Sequence, residues 1–137
     1  MSGIKELIRT ENDGTLSFGD YGLAEKSKRS DFAHHGDLYK VKTFADITKL
    51  EKNGMFVYES VPGTAVHNFH ATENGVSFEV EAKEDAQIIL GLAEDAEYKI
   101  YINEANAGTI RTNMGGKLVL SVETGAADQV PVKVVKL

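Results

Sequence analysis

Apolar and polar residues alternate through most of this chain, the pattern of half-buried β-strands, because successive side chains of a strand point to opposite faces. In VSFEVEA, Val76, Phe78, Val80 and Ala82 share one face while Ser77, Glu79 and Glu81 share the other. The stretch YKIYINEANAGTIRTNMGGKLVLSVE alternates three times over. Tyr98, Ile100 and Ile102 are followed by Ile110, Thr112 and Met114, then by Leu118, Leu120 and Val122. Its breaks hold Asn106, Gly108, Gly115 and Gly116, residue types that accept the positive φ of tight turns. A three-stranded meander is expected.

Upstream, IKELIRT and TLSFGDYGL flank the turn signal ENDG, and LYKVKTF, MFVYESV and TAVHNFHA follow; QIILGLA and the tail VPVKVVKL complete the set. About ten short strands at roughly 8–12-residue spacing predict an all-β fold, a single-domain antiparallel β-sandwich or jelly roll over residues 1–137. One stretch departs from the pattern. In TFADITKLEKNG, Phe44, Ile47 and Leu50 recur at helical spacing, with Thr43 placed as an N-cap and Gly54 as a stop. A helix-like excursion is expected over 43–54, with a strand over 47–51 as the alternative. The most polar segment, AEKSKRSDFAHHGD at 24–37, reads as a mobile loop.

Composition narrows the function by exclusion. With 137 residues, 42% hydrophobic and 26% charged, the chain is long enough for one core and lies in the globular range. A net charge of -6 repels a phosphate backbone, and three arginines and twelve lysines are dispersed along the chain, so a nucleic-acid partner is not expected. No cysteine is present, which excludes disulfides, thiolate metal sites and a cysteine nucleophile and suits a cytoplasmic protein. The start, MSGIKELIRTENDG, has charges at Lys5, Glu6 and Arg9 and no apolar run, so neither a signal peptide nor a membrane partner is expected.

Four histidines raise the question of a metal. His34 and His35 are adjacent, and on a regular strand the spacing of His67 and His70 puts them on opposite faces, so neither pair is disposed to chelate one ion. Surface histidines, no metal site and no cofactor are expected. Calcium-loop, phosphate-loop, nucleophile-elbow and H-E-x-x-H motifs are absent. Among carboxylates Glu59 is the candidate catalytic group, because in MFVYESV it shares a face with Val57 and Val61. Burial of that face would raise its pKa toward a general acid's, whereas burial of the Phe56 and Tyr58 face would leave it exposed. If Tyr98, Ile100, Ile102, Leu118, Leu120 and Val122 face the core, then Tyr101, Asn103, Arg111, Asn113, Lys117 and Ser121 face outward. Tyr101, Asn103, Arg111 and Asn113 are the candidate ligand-binding residues, a ring for stacking beside amides and a guanidinium.

The segment from Val61 to Glu123, VPGTAVHNFHATENGVSFEVEAKEDAQIILGLAEDAEYKIYINEANAGTIRTNMGGKLVLSVE, together with ELIRTENDGTLSFGDY and DLYKVKTFADITKLE upstream, resembles short uncharacterised proteins of anaerobic gut bacteria labelled endosialidase. Its last half is similar in layout to β-sandwich modules of polysaccharide-degrading enzymes, where Y-x-V-x-V-N, a turn and G-x-L-x-F-S-V recur. Sialidase activity would require an arginine triad and S-x-D-x-G-x-x-W repeats on a propeller. This chain has only Arg9, Arg29 and Arg111, no tryptophan and no such repeat, so no catalytic residue carries over. The expected function is a non-catalytic binding or assembly module, its partner a glycan, a protein or a second copy in a homo-oligomer. The alternative is a glycoside hydrolase-like enzyme using Glu59 with a second carboxylate at about 5–10 Å.

Overall fold

In the computed structural model, which describes residues 3–124 and 129–137, thirteen strands and no helix run through the described residues. The first six are β1 (Gly3–Thr10), β2 (Leu16–Asp20), β3 (Ser27–His34), β4 (Asp37–Thr43), β5 (Thr48–Lys52) and β6 (Met55–Val61). Then come β7 (Ala65–Thr72), β8 (Gly75–Glu81), β9 (Ala86–Gly91) and β10 (Glu97–Ile102). The last are β11 (Ala105–Arg111), β12 (Lys117–Val122) and β13 (Val130–Lys136). They form two antiparallel sheets, sheet I in the order β1-β2-β7-β8-β13-β10-β11 and sheet II in the order β12-β9-β6-β5-β4-β3. The expected all-β sandwich is the observed fold, with more strands than the pattern suggested.

The inward faces of both sheets pack into one cluster. Val76, Phe78 and Val80 of β8 meet Ile88 and Leu90 of β9 and Leu118 and Leu120 of β12 as the alternation dictates. At its centre Phe18, Tyr58, Phe69 and Phe78 pack together; Tyr58 stands edge-on to Phe18 at 5.3 Å and to Phe78 at 5.8 Å between ring centroids. A chain of buried hydroxyls runs alongside. Tyr58 Oη bonds Thr64 Oγ1 at 2.8 Å, Ser60 Oγ bonds the same oxygen at 2.9 Å, and Thr48 bonds Thr43 and donates to the Thr64 carbonyl, each at 2.8 Å. Among the described residues no buried side-chain nitrogen or oxygen lacks a partner, so these hydroxyls avoid the desolvation penalty of an unpaired group.

Three expectations are corrected. The 43–54 stretch is no helix; the alternative strand forms as β5, from which Thr48 and Leu50 face the core, and Thr43 pairs with Thr48 across the β4–β5 connection rather than capping a helix. The helical spacing arises because Phe44 and Ile47 close that connection through Phe44 N–H to the Ile47 carbonyl at 3.0 Å. Residues 24–37 are mostly strand. β3 is the edge of sheet II, where lysine and aspartate are favoured against edge-to-edge pairing, and a bulge at Asp31 (φ 57°) interrupts its pairing with β4. The meander divides. β10 and β11 form a hairpin in sheet I, but β12 crosses to sheet II beside β9, and Met114 sits exposed in the connecting turn.

A candidate recognition groove on sheet I

Sheet I turns β7, β8, β13 and β10 outward side by side, and their outer faces line a groove of about 660 Å³. Register aligns Tyr101 with Lys133, Lys133 with Ser77 and Ser77 with His70, a row crossing all of these strands. A second row sets Pro131 beside Glu79 and Glu79 beside His67. Val135 adds apolar floor, and Glu104 closes one end from the β10–β11 turn. That turn has Asn103 at φ 53° and Glu104 at φ 67°, the paired positive values that suit a two-residue hairpin, and Asn103 N–H donates to the Pro131 carbonyl at 2.8 Å. Tyr101 is half-buried against the groove with Lys99 Nζ 5.5 Å from its ring centroid, near enough for a cation–π contact.

The residues expected to form one recognition face are therefore separated. Tyr101 lines the groove and Asn103 lies in the turn beside it. Arg111 sits at the opposite end of the β10–β11 hairpin, where its Nε holds Asp95 at 2.8 Å and its Nη1 holds Glu97 at 3.1 Å. Asn113 Oδ1 accepts from the backbone N–H of Gly115 and Lys117, at 2.9 and 3.0 Å, so its amide builds the turn into β12. Lys117 and Ser121 belong to sheet II. Ser77, Glu79 and Lys133 were readable as outward residues of their own strands; the unreadable fact was that the C-terminal strand β13 slots between β8 and β10.

Glu59 is placed by its neighbours. Tyr58 and Ser60 are fully buried, so Glu59 and the exposed Val61 lie on the outer face, while Val57, the extra residue of a bulge opposite Leu50 and Glu51, packs against the core instead; Glu59 stands in register between Lys49 and Ile89. Glu59 is half-buried on that face.

The histidines depart from expectation. A bulge at Asn68 (φ 57°) adds a residue to β7, so that Val66 and Phe69 both reach the core and His67 and His70 both fall on its outer side. His67 is not a free surface group: its Nε2 lies 2.8 Å from Glu81, whose other oxygen accepts from Tyr21 Oη at 2.8 Å. Burial, then the bond to Glu81, raises the Tyr21 pKa, keeping the phenol a donor. Among the described residues no group of three or more histidine, aspartate or glutamate side chains is arranged to hold a metal ion.

His34 is buried too, at the edge of a second cavity of about 690 Å³ that opens at one end of the sandwich beside Tyr39, Phe56 and Phe69. It shares a 2.9 Å hydrogen bond between Nδ1 and the Thr10 hydroxyl, and its ring stands 4.2 Å from that of His35. Burial and, next, the neighbouring His35 lower the His34 pKa, with Asp37 opposing them. The unfolded chain then takes up a proton near pH 6.5 that the folded chain resists, so this contribution to stability is present above that pH and lost on acidification. Urea unfolding between pH 7.5 and 5 is expected to show a declining free energy, with a shallower decline in His34→Gln. Equal slopes in the two proteins would show that His34 does not contribute.

No protein family, curated protein or solved structure matches the chain. The fold is a β-sandwich whose sheet I carries a groove lined by mixed polar, apolar and aromatic side chains.

Proposed function

We propose that the chain is a non-catalytic binding module that holds a segment of glycan in the groove of sheet I. The observation behind this reading is the half-buried Tyr101 ring on a groove that also presents Ser77, Glu79, Glu104 and Lys133 above an apolar floor of Pro131 and Val135. A sugar ring has an apolar C–H face and an edge of hydroxyls that both donate and accept. An aromatic face bordered by carboxylates, an ammonium and a hydroxyl complements both parts. The groove volume is that of an ordinary small-molecule site. Both signs of charge border it, which suits a polyhydroxylated ligand of little net charge. The resemblance to chains labelled endosialidase, and to modules of polysaccharide-degrading enzymes, points to the same ligand class.

The test is a glycan array followed by calorimetry on its best ligand. Tyr101→Ala is expected to remove about 1–3 kcal/mol of affinity with little change in melting temperature, while Arg111→Ala, at the far end of the hairpin, leaves affinity unchanged. Equal affinity of Tyr101→Ala and the parent for every ligand detected would overturn the reading. Because two carboxylates, Glu79 and Glu104, border the groove, hydrolysis is a second reading. Release of reducing ends from a bound glycan, abolished in Glu79→Gln while binding persists, would replace the module with a hydrolase.

A further inference from the structure

The dispersal of lysines along the sequence does not survive folding. Register places Lys28 of β3 beside Lys42 of β4, and Lys42 beside Lys49 of β5, all on the outer face of sheet II. Lys40 lies two residues from Lys42 on the same face, and these four lysines with Glu51 line a shallow cavity of about 70 Å³. Lysines directly opposite one another on neighbouring strands repel, and strands lie only about 4.8 Å apart. Such a row is unexpected in a chain with 21 carboxylates and a net charge of -6. Lys49 reaches Glu51 at 3.7 Å, whereas among the described residues no carboxylate lies within 4.0 Å of Lys28, Lys40 or Lys42. Glu51 lies beside Lys40 in register and Glu59 ends the row beside Lys49, so four ammonium groups meet two carboxylates and a local excess of positive charge remains. Local conflicts with good folding, retained in this way, mark places where function competes with stability.

We infer that this face is a binding site for a compact, multiply charged oxyanion, two or more adjacent phosphoryl or sulfuryl groups. The cavity is roughly twice the share of one water in liquid, enough to seat one tetrahedral oxyanion with its neighbour on the rim. Lysine supplies point charges rather than the planar fork of arginine, which suits tetrahedral groups presented without fixed orientation. No aromatic side chain lines the cavity, so nothing here stacks on a nucleobase, and the site reads the oxyanions rather than what bears them. The site lies on the opposite sheet from the Tyr101 groove and stands or falls independently of the glycan reading.

The experiment is calorimetry with tripolyphosphate at low ionic strength, repeated with a sulfated oligosaccharide and with an oligonucleotide, each paired with thermal melts. Tripolyphosphate is expected to bind and raise the melting temperature, both effects fading as salt is added. Lys42→Gln, at the centre of the row, should weaken binding about tenfold, as loss of a charged hydrogen-bond partner does. Without anion the same variant should melt above the parent, because the repulsion is relieved. The exposed Lys83→Gln should change neither quantity. Binding of the sulfated oligosaccharide with the same dependence on Lys42 would support the site and identify the source as a sulfated glycan. No binding of tripolyphosphate, or equal binding by Lys42→Gln, would overturn the proposal. An oligonucleotide bound a hundredfold more tightly than tripolyphosphate would also overturn it, in favour of a nucleic-acid surface.

Discussion

Replacing Tyr58 by alanine is expected to lower the free energy of unfolding by about 3–5 kcal/mol, the range for removing a large aromatic ring from a packed core. The ring is completely buried between the two sheets, edge-on to Phe18 of β2 and Phe78 of β8, so filling the void would require both strands to shift. Burial also raises the phenol pKa, the hydroxyls of Thr64 and Ser60 only partly offsetting it, so the Tyr58 hydroxyl remains protonated and bonded. Tyr58→Phe keeps the ring and loses only that bond, and should cost about 1 kcal/mol. Urea unfolding with a common m-value measures both. For a domain whose total stability is about 5–15 kcal/mol, the alanine variant should be visibly marginal. A loss below about 1.5 kcal/mol would mean that the two sheets repack around the cavity and that Tyr58 is not the keystone of the core.

The fold class was legible because alternation is local and turn residues are local. VSFEVEA, QIILGLA and VPVKVVKL each display their inward face in the letters alone, and the buried residues of β8, β9 and β13 follow that display. Sheet membership was not legible, since nothing in GTIRTNMGGKLVL distinguishes a third meander strand from one that crosses to the other sheet. That crossing depends on tertiary bonds, including Leu92 N–H to the Gly116 carbonyl and Thr112 Oγ1 to the Ala93 carbonyl, each at 2.7 Å. The candidate site was half legible for the same reason. Tyr101 could be assigned to an outward face, but Arg111 was grouped with it on parity, and parity says nothing of distance along a strand. The Asn68 bulge shows the limit most clearly: one positive φ moved His70 to the side of His67 and defeated a sound period-two argument. The lysine row lay hidden because Lys28, Lys42 and Lys49 are far apart in sequence and meet only through the register of three neighbouring strands.

Gly75→Ala should be the most damaging small substitution in the chain, with a loss of about 3 kcal/mol or more. Gly75 adopts φ 143° at the start of β8, a conformation that is nearly closed to residues bearing a Cβ. An added methyl would meet the Val134 carbonyl oxygen and carbon of β13, and backbone cannot swing aside as a side chain can. Either β8 withdraws from β13, breaking the ladder that pairs Val76 with Val134 and Ser77 with Lys133, or the turn from Thr72 refolds. Gly54 separates the two components of this penalty. It too has positive φ, at 79°, but an added Cβ there meets no atom within 4 Å, so Gly54→Ala should cost only the conformational term of about 1–2 kcal/mol. The excess of the first variant over the second measures the close approach of β8 and β13. Since Ser77 and Lys133 are neighbours only while that approach is kept, any folded fraction of Gly75→Ala should bind the glycan proposed for the groove more weakly than Gly54→Ala does. Equal unfolding free energies for the two variants would show that β13 can retreat from Gly75 without loss, and that the groove does not depend on this contact.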